Sequence, residues 1–143
     1  MKATVQSVMK YNPEVISPEN TLKEAAQKMA KIGCGVLPVA TKETPLGVIT
    51  DRDIVIRALA KGKDVATEKV RDYMTSDVFF CEAEDTLEEA AEQMHTNHVS
   101  RLVVIDSGGK ISGILSFGCI LRKHPDLQEI TSIVSCAVGK KAA

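Results

Sequence analysis

Two stretches of this chain end an apolar run on a hydroxyl and place a second functional side chain one helical turn later. In Gly47-Val48-Ile49-Thr50-Asp51-Arg52-Asp53 the hydroxyl is Thr50 and the later group is the Asp53 carboxylate. At a helix start, free amides and the positive end of the macrodipole favour a phosphate. A carboxylate one turn on can accept two hydrogen bonds from a ribose diol. The same spacing also allows a plain alternative, in which Thr50 and Asp53 only cap the helix against each other. The second stretch, Gly113-Ile114-Leu115-Ser116-Phe117-Gly118-Cys119, keeps the hydroxyl but carries Cys119 where the first has Asp53. A thiol cannot replace a carboxylate as a diol acceptor.

Other side chains with chemical capacity are scattered. His95 and His98 stand i, i+3, a spacing that allows a shared helix face, where a cysteine such as Cys34 could join them around a metal. Covalent catalysis needs a nucleophile, a base and an orienting partner, and no spacing around Cys119 specifies that set. Cys34, Cys81, Cys119 and Cys136 form no C-x-x-C pair, so reduced thiols are expected, with no metal ligand and no catalytic residue assigned.

The elements that must position these groups are written twice. Thr21-Leu22-Lys23-Glu24-Ala25-Ala26-Gln27-Lys28-Met29 returns as Thr86-Leu87-Glu88-Glu89-Ala90-Ala91-Glu92-Gln93-Met94, and Val5…Met9 as Val70…Met74, each 65 positions on. One extra residue before Gly113 then aligns Gly47 to Thr50 with Gly113 to Ser116. Thr21 with Glu24, and Thr86 with Glu89, have capping-box spacing and start a helix. Leu22, Ala25, Ala26 and Met29, like Leu87, Ala90, Ala91 and Met94, form one apolar stripe of mostly small residues.

A short turn (Thr4 to Met9; Glu68 to Met74) and an extended segment (Val15-Ile16; Val78 to Cys81) precede each helix. Val36 to Val39 and Leu102 to Ile105 follow as buried strands. A turn leads to a second strand, Gly47 to Ile49 or Gly113 to Leu115, and then to another helix. In the first repeat its apolar face is Ile54, Val55, Ala58 and Leu59, with a stop at Gly62. Each unit reads β-α-β-β-α, a mixed α/β (α+β) fold. Repeat one occupies 1–62, a linker 63–67, repeat two 68–123, and an extra C-terminal helix and tail 124–143. The helix follows His124-Pro125 with Asp126 and Glu129 at capping distance, and its stripe is Leu127, Ile130, Ile133, Val134 and Ala137; the last four residues are expected to be disordered. Duplicated units related by a pseudo-two-fold axis create a ligand cleft.

Composition narrows the function. Eighteen basic and 19 acidic residues leave a net charge of −1 with no long run of either sign, so neither nucleic acid nor an anionic membrane is an expected partner. No apolar stretch approaches the ~20 residues of a bilayer span, and Met1-Lys2-Ala3-Thr4 lacks the apolar core of a secretion signal, which together point to the cytoplasm. With 3% aromatic residues the core falls to Val, Ile, Leu, Ala and Met, favouring helices packed on a sheet.

Two β-α-β-β-α units, each opening on V-x-x-x-M and ending in G-h-h-[T/S] before a helix, resemble a pair of cystathionine-β-synthase (CBS) domains, a Bateman module, over residues 4 to 122. Thr50 to Arg57 is similar to a phrase in small stand-alone CBS-pair proteins of bacteria and archaea, some of the stress- or hypoxia-response type. Val99 to Asp106 resembles nucleotide-sensing repeats of the AMP-activated kinase regulatory subunit. The resemblance implies a non-catalytic sensor that needs no cofactor, holds an adenosine-containing ligand of the AMP, ADP or ATP class between its repeats, dimerises, and passes its state to an effector protein not identified by sequence. It implies a preferred cleft of Thr50, Asp53, Thr75, Phe80, Val99 and Ser100, with Phe80 against an adenine ring, and a second cleft of Lys10, Val15, Gly35, Arg101 and Ser116, with Arg101 near a phosphate. Asp53 in one and Arg101 in the other divide the charges, so one preferred site per chain is expected. The alternatives are an interaction dimer with degenerate clefts and a Cys/His metal or redox sensor.

Overall fold

The computed structural model describes residues 2–42, 44–123 and 126–139. Its helices are α1 (Val5–Val8), α2 (Leu22–Ile32), α3 (Leu87–Thr96), α4 (Phe117–Lys123) and α5 (Leu127–Ala137). Its strands are β1 (Lys10–Tyr11), β2 (Val36–Thr41), β3 (Thr44–Thr50), β4 (Phe80–Glu82), β5 (Arg101–Ile105) and β6 (Ile111–Ser116). A π-helical turn over Asp53–Ala58 runs into 3₁₀ turns at Leu59–Lys61, and another 3₁₀ turn covers Val70–Asp72. The chain divides into two compact units, one spanning 13–78 and the other joining the described residues 2–12 to those from 79 onward.

The starts of α2, α3 and α5 follow the sequence code. The Thr21 hydroxyl accepts the Glu24 N–H at 3.1 Å while the Glu24 carboxylate accepts the Thr21 N–H at 3.0 Å. Bonds donated to the Glu24 carboxylate, first by the Thr21 backbone and then by the Thr21 hydroxyl at 3.0 Å, hold it below its ordinary range. Thr86 and Glu89 repeat the box at 3.1 and 3.3 Å, and replacing either threonine by alanine would cost about 1 kcal/mol. Asp126 caps α5 by accepting the Gln128 and Glu129 amides at 3.0 and 3.3 Å. His124-Pro125 and the expected disordered tail 140–143 lie outside the described residues.

The sheets repeat one register. β2 and β3 pair antiparallel with Val36 opposite Thr50, and β5 and β6 pair with Arg101 opposite Ser116, and both ladders shift register at the matching places, after Val39 and after Val104. β4 runs parallel to β5, whereas in the first repeat the extended segment is reduced to one parallel bridge, Ile16 to Val39. A third line of pairing comes from the segment that precedes the other repeat in sequence. β1 pairs with β6 through Lys10 and Ile114, and Thr75 pairs with Val48 at the corresponding position of β3.

Glycine makes that pairing possible. A Cβ on Gly47 would lie 2.4 Å from the Thr75 carbonyl oxygen, and one on Gly113 would lie 2.7 Å from Met9 Sδ and 2.9 Å from the Lys10 carbonyl oxygen. The first position of G-h-h-[T/S] is therefore a clearance for a crossing backbone.

Two cores result. Leu22, Leu37, Val39, Ile49 and Val70 are fully buried in one unit, as are Leu87, Leu102, Val104, Leu115, Ile120 and Ile133 in the other. Each such leucine or isoleucine contributes about 1.5–3 kcal/mol.

Two expected faces differ from observation. Ala26 is exposed although its counterpart Ala91 is fully buried, because α5 packs on α3 and brings Ile133 into the core beside Ala91. After Asp53, Ile54 and Ala58 are buried, but Val55 and Leu59 are 50% and 54% exposed. The backbone there closes from Leu59 N–H to the Ile54 carbonyl, five residues back, so the 3.6-residue stripe read from sequence does not apply.

Candidate functional site

The G-h-h-T ending of β3 delivers Thr50 to the start of the turn that carries Asp53. The Thr50 hydroxyl accepts the Asp53 N–H at 3.1 Å, and Asp53 Oδ2 accepts the Thr50 N–H at 3.0 Å. The capping alternative is thus realised. It consumes one carboxylate oxygen and leaves the other, Oδ1, facing Arg57 Nη1 at 3.8 Å. The Asp53 side chain is only 13% exposed, so the pair holds its charge in one orientation.

Arg57 reaches further. Its Nη1 donates to the Tyr73 carbonyl at 2.6 Å and the Met74 carbonyl at 3.3 Å, clamping the turn to the segment that continues into Thr75. Thr75 exchanges both backbone hydrogen bonds with Val48, at 2.9 and 2.8 Å, two residues before Thr50. Thr50, Asp53 and Thr75 are therefore brought together within one unit. Arg57 was not singled out from sequence; an arginine four residues after an aspartate at a helix start was the available signal.

Gly35 and Val15 belong to the same unit. The Gly35 carbonyl accepts the Asp51 N–H at 2.9 Å, and the exposed Val15 accepts Lys28 Nζ at its carbonyl, 2.8 Å away. Lys10, Arg101, Ser116, Phe80, Val99 and Ser100 belong to the other unit. There Ser116 stands opposite Arg101 in the ladder and two residues from Ile114, the partner of Lys10, so the register sets Lys10, Ser116 and Arg101 on one sheet face.

The second helix start keeps half of the first one's bonding. The Ser116 hydroxyl accepts the Cys119 N–H at 3.1 Å, and Arg122 Nη2 approaches Cys119 Sγ at 3.7 Å. Burial alone would raise the Cys119 thiol, but the hydrogen bonds from Ser116 and Arg122 and the charges of Lys123 and Arg122 outweigh it, and the net shift is downward. Cys81 is the contrast, pushed up to about 12 by burial and by the nearby Asp85 and Glu82 charges.

Val99 and Ser100 line a cavity of about 460 Å³ with Met94, His95, His98 and Phe117. Val134, Ala137 and Val138 of the C-terminal segment complete the lining. Phe80, the expected adenine neighbour, lies on β4 outside this lining, half-buried, its carbonyl accepting Gln93 Nε2 at 2.7 Å. The aromatic ring beside Val99 and Ser100 is Phe117, whose position directly after the G-h-h-S ending was its only sequence signal.

The His95 and His98 rings lie 6.5 Å apart, edge to face. Among the described residues no group of three or more His, Cys, Asp or Glu side chains is placed to hold a metal, and no helix is long and apolar enough to cross a membrane.

Comparison with known proteins agrees with this architecture. Hypoxic response protein 1 of Mycobacterium tuberculosis is 31% identical over 124 residues, covering 86% of each chain. Inosine-5'-monophosphate dehydrogenase of Methanocaldococcus jannaschii is 37% identical over 130 residues, 85% of this chain but 25% of that enzyme. An uncharacterized protein of Methanopyrus kandleri is 37% identical over 112 residues, and this chain covers 57% of its length. Among solved structures, hypoxic response protein I with two coordinated zinc ions superposes with a TM-score of 0.73 at 29% identity, covering 86% of this chain and all of that one. CBSX2 in complex with AMP gives 0.68 at 27% identity, covering 83% and 93%. The CBS domain family model matches residues 5–59 and again 70–126, the two copies seen in the sequence, and the chain belongs to the CBS domain family as a tandem pair.

Proposed function

We propose that this chain is a non-catalytic regulatory module that senses an adenosine-containing ligand of the AMP, ADP or ATP class and passes its state to a partner protein. The preferred site is centred on Thr50, Asp53 and Thr75, with Phe80, Val99 and Ser100 as further contacts. Lys10, Val15, Gly35, Arg101 and Ser116 are the contacts of the weaker site.

One observation carries this reading: the Asp53 carboxylate is already oriented, with Oδ2 fixed on the Thr50 N–H and Oδ1 left 3.8 Å from Arg57. A half-buried, pre-aimed acceptor at a helix start suits a ribose diol beside a phosphate. The structure of CBSX2 with AMP supports the ligand class.

Calorimetry with AMP and ATP on Asp53→Asn tests it. Asparagine can still accept the Thr50 N–H, so the fold is retained while the charge is lost. The expected result is a loss of about 1.5–3 kcal/mol, roughly ten- to hundredfold in affinity. Unchanged affinity would remove Asp53 from the site, and no binding to the wild type would remove the ligand class.

A second reading, an interaction dimer with degenerate clefts, is favoured by the exposed Val55, Ile56 and Leu59, each about half exposed on one short segment. A wild-type chain that dimerises yet binds no adenosine compound would establish it.

A further inference from the structure

The cavity beside Val99 and Ser100 owes one of its walls to a helix that is not part of the repeat. α5 lies wholly beyond the second family match, which ends at residue 126, yet Val134, Ala137 and Val138 face the same space as Met94 and Phe117. Among the described residues no Lys, Arg, Asp or Glu lines this cavity. Its volume of about 460 Å³ falls in the range of small-molecule pockets. Apolar walls with a thioether and an aromatic ring suit the faces of a flat ring, and the Ser100 hydroxyl and two imidazoles suit its polar edge. Among the described residues lining it there is no lysine or arginine to meet a phosphate.

The two ends of α5 are held differently. At its first turn Asp126 caps the helix, and the Ala3 N–H donates to Glu129 Oε1 at 2.9 Å. Ile133, in the middle, is fully buried against the core of its unit. The last turn instead rests on the cavity, with Val134 and Ala137 half-buried and Val138 57% exposed. Apolar side chains lining a cavity gain dispersion contacts from an apolar ring seated against them.

The closing of this turn is nevertheless shaped to the cavity rim. Gly139 has φ +81°, and a Cβ there would lie 2.6 Å from His95 Nε2. His98 also takes a left-handed backbone, φ +55°, as the chain leaves α3: its N–H donates to the His95 carbonyl and the Val99 N–H to the Met94 carbonyl. Both imidazoles are thereby set at the edge where the C-terminal turn closes.

We propose that α5 is a wall of the ligand site, that this cavity takes the uncharged ring of an adenosine-type ligand, and that occupancy is read out as tighter docking of the last turn of α5 on α3. The proposal rests on the reading of Val99 and Ser100 as ligand contacts and adds to it the helix that selects the ring and carries the signal. A ring in the cavity adds contacts to Val134, Ala137 and Val138 of the C-terminal segment, so ligand binding and α5 docking stabilise each other.

The test uses the full chain with adenosine and AMP as probes. Ala137→Phe should fill the cavity and weaken both ligands more than tenfold by the same factor, because the phosphate lies outside it, while the melting temperature holds or rises. Gly139→Ala should push the turn off His95 and weaken both ligands several-fold. In the wild type, adenosine should slow amide exchange at 133–138 more than in α4. A folded Ala137→Phe chain with wild-type affinity would overturn the role of α5 and leave the ligand reading standing. Should Ala137→Phe not fold, unchanged exchange in α5 on adenosine binding would overturn it equally. A wild type that binds neither probe would overturn both.

Discussion

At Thr50 and at Ser116 the same hydroxyl bond is made at the same length, 3.1 Å, to the backbone N–H three residues on. Everything after that bond differs. Asp53 returns a carboxylate to the Thr50 amide and faces an arginine that also clamps the crossing segment, whereas Cys119 offers a thiol that meets Arg122. Outside the motif, α5 buries Ala91 while Ala26 stays exposed. Duplication has kept the backbone path, which packing and hydrogen bonding police at every residue. It has released the side chains on which only a ligand or a neighbouring helix acts.

The largest effect should come from the shared backbone path. Gly47→Ala drives a methyl into the Thr75 carbonyl at 2.4 Å, where the neighbour is main chain already tied to Val48 by two hydrogen bonds. Overpacking with loss of that pairing should cost about 3 kcal/mol or more. Gly113→Ala meets the Met9 thioether at 2.7 Å, which can turn aside, and the Lys10 carbonyl at 2.9 Å, a looser main-chain approach than the 2.4 Å at Gly47, so a smaller loss of about 1–2 kcal/mol is expected. Urea denaturation of the two variants measures the difference. Equal losses would mean that the two crossings are held equally rigidly.

A smaller effect should follow from restoring the missing carboxylate. Cys119→Asp would place an acceptor within reach of the Ser116 amide, with Arg122 beside it as Arg57 stands beside Asp53. A completed cap should add about 0.5–1 kcal/mol. If the carboxylate is what the second site lacks, the adenosine-ligand stoichiometry should rise from one to two per chain. A gain in stability at unchanged stoichiometry would place the deficiency of the second site elsewhere than Cys119.

These contrasts also mark how far the sequence could be read. Thr21 with Glu24, Thr86 with Glu89, and Asp126 act within three residues of themselves, and the structure shows their bonds at hydrogen-bond length. The buried strands from Val36 and Leu102 were equally legible, because a short apolar run bounded by turns has few other fates. Val55 and Leu59 misled, since a single i to i−5 closure shifts the face that a 3.6 period assigns. Arg57 was missed because its main partners, the Tyr73 and Met74 carbonyls, are 16 and 17 residues away and carry no side-chain signature. Phe117 and the α5 wall were missed because no local pattern says where a helix added after a repeat will dock. The helices and strands were written locally, whereas the cavity is a product of tertiary packing.

The finest test concerns the thiols themselves. Cys119 has a lowered pKa with an arginine 3.7 Å from its sulfur, and Cys81 is buried and raised to about 12. A lowered pKa puts the thiolate in place at a lower pH, and the thiolate is the species that alkylates. Iodoacetamide should therefore label Cys119 ahead of Cys81 at neutral pH, and the Cys119 rate should climb at a lower pH than that of a free cysteine. Arg122→Gln removes one cation and one donor, so the rate profile should move toward higher pH by a fraction of a unit, with little change in stability at this exposed arginine. A profile that does not move would assign the shift to the Ser116 hydrogen bond and to Lys123. The distinction between the repeats would then reside in the motif itself rather than in the arginine that follows it.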